Sequence, residues 1–180
     1  IFNHPLMDNY HVLPSFAHKR YCIYANIVNI LVETMYHFNG INLYEGAKNL
    51  ILANGLYCFA ILHSNKDLVA EFENNFVGMV RKPSIESVAN FYRTTDKLRY
   101  DVDTREGFFD MLSEILPTIQ YVKEALTHKK FYIDLTIPLF SVSIQEWYNK
   151  TKVKENVLFD SSEPFFANIE FMESLRDMEV

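Results

Sequence analysis

Between Ser15 and Gly40 the apolar positions Ile23, Ile27, Ile30, Leu31, Met35 and Phe38 recur at three- and four-residue steps, which puts them on one face of a helix. Val28 and Val32 widen that stripe, as a helix lying inside a core requires. Ser15 has a side-chain oxygen for a first-turn N–H, and Gly40 can take the left-handed conformation that closes a helix. The spacing predicts one long helix from Ser15 to Gly40, and the rest of the chain reads as organised around it.

Beyond Gly40, Asn42 is placed to cap a helix from Leu43 to about Asn54, with Leu43, Ala47, Leu50 and Ile51 inward and Gly55 interrupting it. Leu56 to Leu62 is apolar on every side, so periodicity does not separate buried strand from buried helix; Ala60 and the neighbouring patterns favour helix. Asn65 caps a third helix, about Lys66 to Arg81, that buries Leu68, Phe72, Phe76, Val77 and Val80. Pro83 stops it, and Ser84 caps a fourth from Ile85 to about Lys97, with Val88, Phe91 and Tyr92 on its apolar side. A fifth pattern runs from Thr104 to His128 and is kinked or divided at Pro117, which lacks an N–H and crowds the preceding turn.

The period then changes to two. Phe131, Ile133, Leu135 and Ile137, then Phe140, Val142 and Ile144, alternate with polar residues, and Pro138 marks a turn between two strands. A last helix is expected from Ser162 to about Met178. The fold class expected is therefore α+β, predominantly α: a bundle of about five to six helices with a small two-stranded β element near residues 131–148. Residues 1–14, with two prolines and no period, read as an irregular arm, and 15–180 as a single mainly helical domain. The chain does not open on methionine. Met7 is a candidate native start behind residues 1–6, and the alternative is a segment of a longer polypeptide.

Composition changes this picture in two ways. Fifteen Phe and 11 Tyr supply large packing units against only 5 Gly, which suits helices, since helices rarely need positive φ. A formal charge of −6 argues against broad phosphate binding and so against a nucleic-acid partner. A local basic strip near 128–154 (His128, Lys129, Lys130, Lys150, Lys152 and Lys154) reads as a solvated rim. Cys22 and Cys58 lie in apolar stretches and read as small hydrophobes rather than a disulfide. No signal peptide is visible, and Leu50 to Leu62 is too short to span a bilayer, so a soluble cytoplasmic protein is expected.

Candidate chemistry is sparse. His18 and Cys22 are four apart on one helical face; with Cys58 and His63 they would supply two nitrogens and two sulfurs for tetrahedral zinc, although no Cys-x-x-Cys knuckle is present. Asp101 and Asp103 open a calcium-loop spacing, but Glu106 stands where the sharp turn needs glycine and Leu112 where a bidentate carboxylate is required. Asp134, Glu146 and Lys150, with Lys152 nearby, could hold magnesium and activate water in a metal-dependent nuclease or phosphoesterase, with Glu114 or Glu124 completing the set. No phosphate loop, His-Glu-x-x-His or nucleophile elbow occurs.

The reading preferred on these grounds is a non-enzymatic protein–protein interaction or regulatory module, needing no cofactor and acting alone or within a larger assembly. Its expected anchors are aromatics at element ends: Tyr10, Tyr92, Tyr100, Trp147 and Tyr148. The alternative is the metal-dependent nuclease or phosphoesterase.

Overall fold

A computed structural model describes residues 17–126 and 136–152. The chain divides into two compact units, one spanning 18–133 and the other combining 1–17 with 134–180. Every element described is helical.

In the larger unit the first long pattern forms a continuous helical path in three parts. These are α1 (Lys19–Asn26), a π-helical segment (Ile27–Val32) and α2 (Glu33–Phe38). Five of the six π residues (Ile27, Val28, Ile30, Leu31 and Val32) are buried, so the wide turn falls where the helix has no outer apolar face to spare. The start differs from expectation. Ser15 lies outside the described residues, and His18 caps α1, its Nδ1 accepting the Tyr21 N–H at 3.1 Å. The end is as the glycine required: Gly40 has φ +71°, its N–H bonds to His37 O, and the Ile41 N–H reaches back to Tyr36 O. That pair of bonds is a Schellman closure, which leaves Phe38 largely exposed instead of inward.

The second helix corrects the sequence reading at both ends. Leu43 is buried, but in the turn that precedes the helix. A 3-10 turn (Glu45–Ala47) with left-handed Gly46 and Ala47 leads into α3 (Lys48–Leu62), which runs unbroken through Gly55. Gly55 leaves room for the flexible end of the Met111 side chain on α6 (Glu106–Ile115), which a Cβ there would displace. The inward side of α3 is Ala53, Leu56 and Ala60, while Ala47, Leu50 and Ile51 face outward.

α4 (Lys66–Arg81) and α5 (Ile85–Arg99) follow with the expected caps. Asn65 Oδ1 accepts the Leu68 N–H, and Ser84 and Ser87 form a reciprocal capping box. Past α6, Pro117 sits in a 3-10 segment (Leu116–Tyr121) before the short α7 (Val122–Ala125), because the ring removes a helical N–H at that point. α4 packs on α5, α1 on α3, and α6 on both α3 and α5. The core between them is ring-rich. Tyr24, Phe72, Phe91 and Phe76 form a run with centroids 5.4 to 6.4 Å apart, and Phe59 stacks on Phe108. At the rim of that core Glu73 accepts from both the Tyr24 hydroxyl and Arg20 Nε, which ties α1 to α4.

The described part of the smaller unit overturns the β element. Residues Thr136–Thr151 form one helix, α8, and no strand occurs among the described residues. The α+β class and the two-stranded element at 131–148 are therefore replaced by a helical architecture. The alternating Phe140, Val142 and Ile144 misled because the same stretch carries a helical period: among its described side chains the less exposed are Phe140, Ser143 and Trp147, at steps of three and four, and the adjoining Tyr148. Pro138 is in the first turn, where its missing N–H has no intrahelical partner to lose. The predicted strand at 131–135, the arm at 1–14 and the helix at 162–178 lie outside the described residues. Among the described residues no helix is long and apolar enough to cross a membrane.

Candidate functional site

The aromatic anchors proposed from sequence separate into different environments. Tyr92 is only 6% exposed and belongs to the core; its hydroxyl pairs with Thr118 Oγ1 at 2.8 Å, and burial pushes the phenol up to about 12. It is thereby withdrawn from any surface role. Tyr100 is 66% exposed and stacks under Arg99, whose guanidinium carbon lies 4.5 Å from the ring centroid. Trp147 and Tyr148 are half-buried on α8, and Lys152 Nζ sits 5.4 Å over the Tyr148 ring. Tyr10 lies outside the described residues.

Of the four zinc candidates, the two histidines are engaged in other contacts and the two cysteines are free thiols. His18 caps α1 and packs edge-on against Tyr57. Cys22 is half-buried, and burial raises its thiol, which disfavours the thiolate a metal needs. Cys58 is exposed on α3, and His63 is buried. Among the described residues no group of three or more His, Cys, Asp or Glu side chains could hold a metal ion. Of the nuclease set, Glu146 and Lys150 are exposed one turn apart on α8, Lys152 follows it, and Asp134 lies outside the described residues, as do His128, Lys129, Lys130 and Lys154. The helix removes the strand geometry on which that set was argued.

The most connected polar cluster joins the α3–α4 turn to the α5–α6 turn. His63 Nδ1 accepts the Asn65 N–H at 3.2 Å, which leaves the ring proton on Nε2, 3.0 Å from Thr104 Oγ1 and 3.7 Å from Asp101 Oδ1. The Thr104 hydroxyl donates onward to Leu98 O, closing off the end of α5. Asp101 accepts the Asp103 N–H and, less strongly, the Asn65 side-chain amide, each at 3.1 Å; these hold its carboxyl below the usual carboxylate range. The Ser64 hydroxyl completes the tie to Asp103. Every member is spent on another, and the depression beside it, lined by Phe59, Leu62, Arg105 and Phe108, has room for about one water. The cluster is a joint between turns, too closed to take a substrate.

A different surface stands out on α3. Leu50 is 52% exposed, Ile51 61%, Ile61 38% and Leu62 67%, with Asn54 and Cys58 exposed between them. At 3.6 residues per turn these six positions fall within an arc of about 120°, opposite the buried Ala53, Leu56 and Ala60. Lys48 is the helix's only charged residue, at its first position, in a chain with 40 charged residues by the sum of 17 basic and 23 acidic. The sequence pattern placed Leu50 and Ile51 inward on one helix and read Leu56 to Leu62 as apolar all round and buried. The signal that pointed the other way was its missing polar face. No protein-family profile, curated protein or solved structure matches the chain.

Proposed function

We propose that this chain is a non-enzymatic protein-interaction module whose contact surface is the outer face of α3. One observation carries the reading: along one face of α3 four aliphatic side chains, a thiol and an amide meet water, with no charged side chain among them after Lys48 at the first position. Scattered exposed aliphatics are ordinary, whereas a contiguous stripe of them along one helix is characteristic of a covered surface. Recognition there is apolar and shape-driven, which fits a helix or loop of another protein better than a phosphate or an acidic peptide.

The test compares two exposed positions. A photo-crosslinking amino acid is placed at Leu62 on α3 or at Ala70 on α4, and extracts of cells making the full chain are irradiated. Adducts from position 62 and none from 70 are expected; no adduct from 62 overturns the reading.

A further inference from the structure

We infer that the occupant of this face is a second copy of the same chain, docked with its α3 antiparallel across a two-fold axis. The inference rests on the proposed interaction face and names its partner.

The argument is the symmetry of what α3 leaves outside. Leu50 and Ile51 near its start are mirrored by Ile61 and Leu62 at its end, and Asn54 by Cys58; each pair is centred on Leu56. All six positions of the stripe belong to one of these three pairs; exposed Lys48, at the first position of the helix, lies outside it. A two-fold axis at the level of Leu56 sets Leu50 against Leu62 of the second copy, Ile51 against its Ile61, and Asn54 against its Cys58. An isologous interface demands this self-complementarity, in which residue i meets j and j meets i. Any helical face is symmetric in position about its midpoint; what this one adds is that its aliphatic pairs match in kind, leucine with leucine and isoleucine with isoleucine.

Two further features agree. Antiparallel apposition places the positive end of each α3 beside the negative end of the other, so the helix dipoles attract; parallel apposition opposes them. The seam from Asn49 to Leu62 contains no charged residue, so two identical faces meet without like-charge repulsion even though the chain carries −6 overall. A specific interface takes about 800 Å² from each partner, more than the α3 stripe alone provides.

The test uses the purified full chain in sedimentation velocity, from low micromolar to about 100 μM, the range in which a modest homodimer titrates. The wild-type chain is expected to self-associate. Ile51→Lys is expected to weaken association about ten-fold or more, and Leu62→Lys to do the same at the other end. Ile51→Lys combined with Ile61→Glu in one chain is expected to restore association, because the antiparallel register pairs the introduced lysine with the introduced glutamate. Unchanged thermal unfolding of the single variants at low concentration shows that they remain folded, as substitution of exposed side chains predicts. A wild-type chain that stays monomeric throughout, or a double variant no better than the single one, overturns the homodimer. If that monomer still gives a position-62 adduct with a different protein, only the self-pairing falls and the interaction reading stands. If instead it binds neutral lipid vesicles and gives no protein adduct, both fall.

Discussion

α3 and α4 are consecutive helices of 15 and 16 residues that each bury an apolar inner face, while their outer faces differ in kind. α4 buries Val69, Phe72, Phe76, Met79 and Val80 and exposes Lys66, Asp67, Ala70, Glu71, Asn74, Gly78 and Arg81. Everything it shows to water is polar or small. α3 buries Ala53, Leu56 and Ala60 and shows water Leu50, Ile51, Ile61 and Leu62. The difference separates the needs of folding from those of assembly. An inner face is dictated by the core it must fill, and an outer face is free unless something covers it. The four large aliphatics that α3 leaves outside, where folding does not require them, are what the proposed contact would cover.

The comparison can be broken first at the inner faces. Phe72→Ala on α4 is expected to cost about 3–5 kcal/mol, since the ring packs between Tyr24 and Phe91 and is fully buried. Leu56→Ala on α3 is expected to cost about 2–5 kcal/mol, read in the same denaturant titration. A negligible cost at Leu56 would mean that α3 is not a core element.

Next in size is the joint between the two helices. Asp101→Ala removes the carboxylate that accepts from Asp103 N–H and from the Asn65 amide, and is expected to cost about 1.5–3 kcal/mol at neutral pH. Because folding lowers this carboxyl's pKa, its contribution is complete above the ordinary carboxylate range and is lost as pH falls through the folded value. Melting temperatures of wild type and variant should therefore converge on acidification; a gap that stays constant down to strong acid would remove the charge from the account.

The smallest effect on stability is the sharpest on the comparison. Leu62→Gln and Ala70→Gln are each expected to change monomer stability by no more than about 0.5 kcal/mol, because both side chains are exposed. Only Leu62→Gln should weaken association. If both substitutions behave alike in the association measurement, the two outer faces do not differ in function.

Much of the helical framework was legible in the residues. The caps at Asn65 and Ser84, the glycine closure at Gly40 and the break at Pro117 each follow from one side chain's local geometry, which the surroundings leave unchanged. The errors came where one pattern serves two structures. Residues 140–148 satisfy a two-residue and a 3.6-residue period together, and nothing local chooses between them. Gly55 has the same ambiguity: glycine breaks a helix in isolation, and here it admits Met111 of a neighbouring helix. The candidate face was the least legible part. Exposure depends on which neighbours arrive, and an uncharged helix reads as interior until the side without neighbours is known.

By itself the sequence determined the caps at Asn65 and Ser84, the closure at Gly40 and the break at Pro117, and that the first half folds as helices around aromatic rings, because caps, prolines and helical periods act over one or two turns. Only the tertiary structure decided which side of α3 meets the core, that Tyr92 is interior, and that residues 136–151 wind into a helix. Those outcomes depend on contacts between residues distant in the chain, which no local spacing encodes.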